Sequence, residues 1–391
     1  MSLLNPYTVA IDNKIVDDIY KRISLYPWDS LISVDDWDYG TDPTYMKEIC
    51  EYWLHDFDWR KQESKINKFD HYKTSIDNVD THFIYEKGSG DSPTPLIITH
   101  GWPGSFLEFL DVIEPLAHPE RFGGDIDDSF DVIVPSLPGF GLSGPISRAY
   151  GPREIASMFN TLMTDRLGYT SYMTQGGDWG SAVTSWLGFN HSDYCKAIHL
   201  NCLTIRHVDG PIGEEEIKWA KLFEEEQLLE NGYRTQQATK PQTLSYAMVD
   251  SPVGVAAWII EKMRTWSDCN GDLESKFSKD HLLTNIMLYL VTGTFPTASW
   301  IYYGRRMEGN TTAAASIVLS QEGNRVEVPT GCALFPKELL RWAPRSYVER
   351  IYNVTHWTEM NAGAHFAAME EPEFYINDVR TFANNNFNSY E

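Results

Sequence analysis

The chain has 391 residues, of which 42% are hydrophobic and 22% are charged, proportions typical of a folded globular protein and not of a disordered or fibrous one. Its 32 lysines and arginines are outnumbered by 55 aspartates and glutamates, which gives a formal net charge of −23. Because so acidic a chain repels phosphate backbones and anionic lipids, we expect no nucleic-acid partner and no binding to a membrane surface.

The cysteines and the apolar segments favour a cytoplasmic protein. The longest near-apolar run, residues 253–260, is far shorter than the ~20 residues of a membrane helix. The N-terminus has neither the basic start nor the apolar stretch of a signal peptide. Five cysteines are scattered without a CxxC pair, which is typical of reduced, buried thiols. No HExxH motif occurs, and we expect neither a metal nor a cofactor.

The first part of the chain, residues 1–92, is polar, acidic and rich in tryptophan and tyrosine. Apolar residues at helical spacing predict an amphipathic helix over 45–57, whereas 69–85 is more typical of extended structure. Glycine, serine and proline predict a loop over 88–95.

From residue 93 to 206, short apolar runs alternate with segments of helical spacing. The pattern predicts alternating strands and helices over 95–101, 105–116, 129–139, 152–167, 171–175 and 181–189. Such alternation indicates an α/β fold with a mostly parallel central sheet.

Residues 207–326 break this alternation. They are mostly helical in pattern and include an acidic run, 214–230, which we interpret as a solvated helix face. The sheet-like pattern returns in residues 331–338 and 351–359, and we assign residues 327–391 to the second part of the core. The sequence therefore predicts an α/β core in two parts, interrupted by a helical insertion.

The strongest chemical signal is QGGDWGS at 175–181. A strand enters the G-x-nucleophile-x-G pattern and a helix follows, with Asp178 where hydrolases usually carry serine. The glycines permit a sharp, crowded turn. The alternative is a plain glycine-rich turn in which the aspartate caps the helix.

A second glycine-rich turn, HGWPGS at 100–105, directly follows a predicted strand. Its Trp102 N–H could point into a site. Together with the N–H of Trp179, the residue after Asp178, it would form an oxyanion hole. An ordinary turn is the alternative.

A histidine and an acid complete the pattern. In hydrolases with such a turn the chain order is nucleophile, acid, histidine, and His365 in NAGAHFAAMEEP comes last. The preferred acid is Glu338, which follows an apolar run. Asp268 and Asp272 fall inside the insertion, and Glu359 is too close to the histidine in sequence.

An aspartate nucleophile changes the reaction that this arrangement can perform. A carboxylate is ionised near neutral pH and can displace a leaving group from an sp³ carbon, which leaves an alkyl ester on Asp178. His365 is then free to activate a water molecule that opens the ester.

Seven segments resemble the α/β-hydrolase epoxide hydrolases, and most closely the microsomal-type branch with its soluble fungal members. They are HGWPGS, PSLPGFGLSG, QGGDWGS, TKP, DSPVGVAAWIIEK, FPKELL and HFAAMEEPE, and they span residues 99–373, about 70% of the chain. The resemblance implies an α/β-hydrolase fold in which residues 1–92 form the family's N-terminal extension and 207–326 form a helical cap. The family's membrane anchor is absent, so the resemblance implies a soluble enzyme.

The resemblance also assigns roles. It implies Asp178 as nucleophile, His365 as the base that activates water, and Glu338 as the acid that orients the histidine. Two cap tyrosines are implied as acids for the epoxide oxygen. These are Tyr233 in GYRTQQATKP and Tyr302 in FPTASWIYYGRR, with Tyr303 as the alternative if the alignment slips by one residue. Ala362 and Ala364 depart from residues often seen as arginine and glycine there.

The expected function is hydrolysis of epoxides to vicinal diols. Two alternatives stay open, a haloalkane dehalogenase and a non-hydrolytic cyclase or binding protein that uses the same pocket. The expected partners are a small epoxide, apolar or aryl, and water. A homodimer is left open.

Overall fold

Nine strands of the described residues pair into one mixed sheet. The computed structural model describes residues 4–32, 34, 37–203, 205–207, 209–309 and 325–387. The strands are β1 (Asn5–Tyr7), β2 (His71–Ile76), β3 (Val79–Glu86), β4 (Thr94–Thr99), β5 (Phe130–Pro135), β6 (Tyr172–Gly176), β7 (Cys195–Leu200), β8 (Val326–Leu334) and β9 (Tyr352–Glu359). Their order across the sheet is β1-β2-β3-β5-β4-β6-β7-β8-β9. Pairing is antiparallel from β1 to β5 and parallel from β5 to β9.

The α-helices fall into three groups along the chain. The N-terminal group is α1 (Asn13–Ser24), α2 (Pro43–His55) and α3 (Trp59–Ile66). Helices that accompany the parallel strands are α4 (Leu110–Ala117), α5 (Pro152–Thr161), α6 (Asp178–Asn190), α13 (Arg345–Glu349), α14 (Ala367–Glu370) and α15 (Pro372–Asn386). Between β7 and β8 lie α7 (Gly213–Thr239), α8 (Pro241–Met248), α9 (Pro252–Thr265), α10 (Lys279–Thr292), α11 (Phe295–Ala298) and α12 (Trp300–Gly309).

This is the predicted α/β-hydrolase architecture with a helical insertion. The central parallel strands are buried, and β5 is buried at every position. Helices α5 and α6 pack together in one layer on the sheet, and α4 packs with α15 in another. Such continuous burial is expected where helices cover a parallel sheet. The elements predicted before residue 206 are confirmed. The helix predicted over 152–167 is α5, which continues as a π-helical segment, Leu162–Arg166.

The N-terminal extension contributes to the sheet and also supports the insertion. Its strands β1 to β3 form the antiparallel edge, and its helices contact α9 and α10. The side chains of Tyr52 and Gln62 donate hydrogen bonds to Asp280 of α10, each 2.9 Å long. The insertion therefore rests on the extension.

The sequence pattern suggested that the acidic run on α7 is a solvated helix face. In the structure, three of its glutamates are instead paired with basic side chains. Glu216 is buried and lies 3.4 Å from the guanidinium of Arg350, and Glu226 pairs with Arg341. Glu230 accepts hydrogen bonds from Lys262 Nζ and Trp266 Nε1, both 3.2 Å long, within the insertion itself. Helical spacing alone could not show these pairs, because their cations come from distant parts of the chain. The first two pairs tie the insertion to the core.

All five cysteines are free and buried, as predicted. Among the described helices, none combines the length and the hydrophobicity needed to cross a membrane.

Candidate active site

Asp178 stands at a sharp turn between β6 and α6. Its φ of +45° is in the left-handed region, which is uncommon for a residue other than glycine and is typical of strained functional turns. Close packing requires glycine at the neighbouring positions 176 and 180. A Cβ on Gly180 would lie 1.8 Å from the carbonyl oxygen of Thr99, and one on Gly176 would lie 2.2 Å from that of Gly180. The turn thus holds the Asp178 side chain at the carboxyl end of the parallel strands.

The second glycine-rich turn lies directly against this carboxylate. The backbone N–H of Trp102 donates a 2.7 Å hydrogen bond to Asp178 Oδ1. A Cβ on Gly101 would lie 2.1 Å from the same oxygen, so only glycine fits there. The N–H of Trp179 belongs to the first turn of α6, where backbone donors have no partner within the helix. Both predicted oxyanion donors therefore lie beside Asp178.

His365 and Glu338 lie on the other side of the nucleophile. His365 Nδ1 donates to Glu338 Oε1 at 2.8 Å, and Nε2 lies 3.5 Å from Asp178 Oδ2. Glu338 comes shortly after β8 ends, so strand and loop place it as the sequence predicted. The three side chains converge, whereas Asp268 accepts a hydrogen bond from the backbone of Gly363 and Glu359 ends β9.

Electrostatics favour a charged His365 in the free protein. Burial lowers the pKa of this imidazole. The charge of Glu338 and the polar contacts with Asp178, Cys202 and Glu338 outweigh burial and raise the pKa well above its ordinary value. In the free protein the histidine is thus an imidazolium.

The two predicted tyrosines lie over the nucleophile. The Tyr233 ring stacks on Trp102 with centroids 5.1 Å apart, and the Tyr302 ring meets Trp179 edge-on at 4.7 Å. The centroids of the two tyrosine rings are 5.8 Å apart. Burial, together with the charge of Asp178, raises the pKa of both phenols, so both remain proton donors at neutral pH.

A cavity of about 50 Å³ opens between these tyrosines and Asp178. It is lined by Asp178, Trp179, Ser181, Ala182, Tyr233, Arg234, Tyr302, Arg305, Leu339 and Leu340. The buried Oη of Tyr302 has no hydrogen-bond partner among the described residues, whereas Tyr303 does not line the cavity. Of the two candidate tyrosines, Tyr302 therefore lines the cavity, and its role stays a prediction.

Two family models match this chain. One, described as "Epoxide hydrolase N terminus", matches residues 4–109, and one described as "alpha/beta hydrolase fold" matches residues 94–247. The chain is 36% identical over 408 residues to epoxide hydrolase 1 of Sus scrofa, covering 97% of this chain and 88% of that relative. It is 32% identical over 406 residues to juvenile hormone epoxide hydrolase 2 of Ctenocephalides felis, covering 96% and 84%. The chain belongs to the epoxide hydrolase family.

Solved structures agree with this assignment. The epoxide hydrolase of Aspergillus niger superimposes with a TM-score of 0.83 at 28% identity, over 98% of this chain and 96% of that one. The juvenile hormone epoxide hydrolase of Bombyx mori superimposes with a TM-score of 0.88 at 25% identity, over 100% and 96%. The chain is an epoxide hydrolase with the α/β-hydrolase fold and the N-terminal extension of that family.

The site of this epoxide hydrolase includes Glu108, which the sequence analysis missed. Glu108 lines a second cavity, of about 10 Å³, together with Asp178 and His365. Its carboxylate occupies the space where a Cβ on Gly104 would be, only 1.5 Å from Oε1. Burial raises the pKa of Glu108 to about 8. Only the packing of Glu108 against the HGWPGS turn identifies it as part of the site, and no sequence motif predicts that packing.

Cys202 was also missed. Its Sγ and atoms of Glu338 and His365 lie within 4.8 Å of one another, a spacing that could hold a metal. A metal would need the thiolate, but burial raises the pKa of Cys202 to about 12. The neutral thiol, and the bond between Glu338 and His365, make this cluster a poor metal site.

Proposed function

We propose that this epoxide hydrolase opens its substrate through a covalent ester on Asp178. The arrangement around that carboxylate carries the proposal. Trp102 N–H fixes Oδ1 at 2.7 Å while His365 Nε2 lies 3.5 Å from Oδ2, and two phenols face the same cavity. The nucleophile and the two acids thus line one cavity, and the base lines a second cavity on the other side of the nucleophile.

In the first step, a carboxylate oxygen of Asp178 attacks an epoxide carbon and the carbon–oxygen bond of the ring breaks. The leaving oxygen takes a proton from Tyr233 or Tyr302, and the second phenol donates a hydrogen bond to it. Donors that strengthen as charge develops stabilise the transition state more than the bound substrate.

Formation of the ester also prepares the second step. Esterification turns the Asp178 carboxylate, whose polar contact with His365 is one of the contributions that raise the pKa of the imidazole, into an uncharged ester. The imidazolium then gives its proton to the tyrosinate left by the first step, which restores the phenol, and the neutral ring becomes a base. Water for this step would come from the cavity beside Glu108, whose volume of about 10 Å³ is close to that of a single water site.

In the second step, His365 takes a proton from water and the hydroxide attacks Cγ of Asp178. The N–H groups of Trp102 and Trp179 stabilise the resulting oxyanion. On collapse, the added hydroxyl gives its proton to the departing diol oxygen, and His365 keeps the proton taken from water, which restores the imidazolium of the free protein.

The substrate we propose is an epoxide on an apolar or aryl group, because aromatic rings surround the tyrosines. Trp266 adds a further ring, with its centroid 5.1 Å from that of Tyr233. The five free, buried thiols favour a reducing compartment, and we propose the cytoplasm.

Labelled oxygen tests the ester directly. In water enriched in heavy oxygen, with enzyme in excess over substrate, the first diol should carry unlabelled oxygen taken from Asp178. The peptide containing Asp178 should gain one labelled oxygen. An Asp178→Ala variant should form no diol and gain no label. Label in the first diol but not in the peptide would contradict the proposal, since water would then attack the epoxide itself.

A further inference from the structure

The catalytic cavity contains two guanidinium groups that the proposed chemistry does not use. Arg305 follows Tyr302 by three residues on α12, and Arg234 follows Tyr233 on α7. All four side chains line the cavity beside Asp178. Because residues three apart share a helix face, Arg305 lies one turn, about 4.5 Å along the axis, beyond Tyr302.

Arg305 is buried and has no ion-pair partner among the residues that the structure describes. It is 8% exposed and forms no hydrogen bond or ion pair with any residue that the structure describes. Burial lowers the pKa of Arg305, and Glu308 opposes this shift. The carboxylate of Glu308, however, accepts the backbone N–H groups of Arg153 and Glu154 at 3.2 and 3.0 Å. Glu308 therefore supplies a nearby negative charge but no ion pair, so a ligand carboxylate that pairs directly with Arg305 would add charge-assisted hydrogen bonds in a buried setting.

Paired cations are found close by. Arg341 pairs with Glu226, and Lys262 pairs with Glu230. Arg234, in contrast, has no carboxylate within ion-pair distance in the part of the chain that the structure describes. It also lines a much larger cavity, of about 640 Å³, beside α7. Arg234 therefore lines both the large cavity and the catalytic one.

We propose that the catalytic cavity selects epoxides that carry a carboxylate a short apolar spacer away from the oxirane ring, and that Arg305 binds this carboxylate. The inference rests on the proposed function, since Tyr302 defines where the epoxide oxygen lies. Guanidinium groups match the planar carboxylate with two parallel hydrogen bonds. One helical turn between Tyr302 and Arg305 corresponds to a spacer of a few carbon atoms. Arg234 would attract the same carboxylate during entry.

A matched pair of substrates tests this selection. The probes are the terminal epoxide of hexanoate and the methyl ester of the same compound, which differ in charge and hardly in size. We expect the wild type to have a higher kcat/KM for the acid. In Arg305→Met the ratio of acid to ester should fall about tenfold to a hundredfold, the usual effect of losing a hydrogen bond to a charged group. Arg305→Lys should restore part of the ratio.

Arg306→Met is the matched control, because this neighbouring arginine does not line the cavity, and its acid-to-ester ratio should equal that of the wild type. An equal loss for acid and ester in Arg305→Met would overturn the proposal and make Arg305 a stabiliser of the epoxide oxygen or of the fold. Should Arg305→Met not fold, inhibition of the wild type decides: hexanoate must inhibit more strongly than hexanamide, and equal inhibition overturns the proposal.

These outcomes separate the inference from the proposed function. If the ester is hydrolysed through Asp178 but the acid is not preferred, only the carboxylate selection fails. If neither compound labels Asp178 or yields diol, the proposed function fails with it.

Discussion

Glu338 holds His365 by a 2.8 Å hydrogen bond between Oε1 and Nδ1, which leaves Nε2 directed at Asp178. This bond fixes both the orientation and the tautomer of the imidazole. Glu338→Gln should therefore slow ester hydrolysis, by up to about 10⁴-fold if the loss resembles that of the orienting aspartate in serine proteases, and should affect alkylation less. Single-turnover measurements of ester formation and decay give the two rates. Equal slowing of both steps would contradict an orienting role.

His365→Gln should stop the reaction halfway. Asp178 can still attack the epoxide, but no base activates water, so the ester should accumulate. Mass spectrometry should find the peptide containing Asp178 heavier by one substrate after prolonged incubation. The double variant Asp178→Ala, His365→Gln serves as the control and should remain unmodified. A clean peptide in the single variant, with a substrate that the wild type hydrolyses, would disprove the assignment.

The tyrosine pair should be partly redundant. Tyr233→Phe or Tyr302→Phe should each slow alkylation and leave residual activity, because one phenol remains; loss of one donor costs about 3 kcal/mol at oxyanion holes. The double variant should be nearly inactive. Tyr303→Phe, one residue along α12 and outside the cavity, is the control and should behave like the wild type. Wild-type alkylation rates in the double variant would show that another group protonates the oxygen.

Glu108 should make stability depend on pH. Its pKa is raised to about 8 in the folded protein against ~4.3 in an unfolded chain. The folded state thus holds the proton more tightly, and stability falls as pH rises from about 4 to 8. Glu108→Gln removes this loss, so between pH 6 and pH 9, values chosen on either side of about 8, its Tm should fall by several degrees less than that of the wild type.

Calorimetry at these two pH values checks this expectation. Glu114→Gln, at an exposed position on α4, is the control and should follow the wild type. Parallel decreases in Tm for Glu108→Gln and the wild type would refute it.

Local chain signals predicted most of the fold and three side chains that the structure brings together, Asp178, His365 and Glu338. The glycine spacing around Asp178 and the chain order of His365 after Glu338 can both be read directly from the sequence. What could not be predicted depends on three-dimensional contacts that a local sequence pattern does not specify. Glu108 belongs to the site only because the HGWPGS turn folds back over it, and nothing in its local pattern distinguishes it from a surface glutamate.

The acidic run on α7 is a second example of a contact that the sequence pattern did not predict. Charge and helical spacing favoured solvent for α7, but Arg350 and Arg341 arrive from beyond β8 to meet Glu216 and Glu226. A sequence pattern records which faces a helix has, and it does not record which of them another segment will cover.

The insertion is anchored on two sides, by these ion pairs to the core and by the contacts of Tyr52 and Gln62 with Asp280 to the N-terminal extension. These contacts oppose a movement of the whole insertion away from the core. We therefore expect epoxide and diol to pass through a fixed opening, and the large cavity that shares Arg234 with the catalytic one is the candidate. For bulky substrates we therefore expect passage through this opening, and not the bond-breaking steps, to limit turnover.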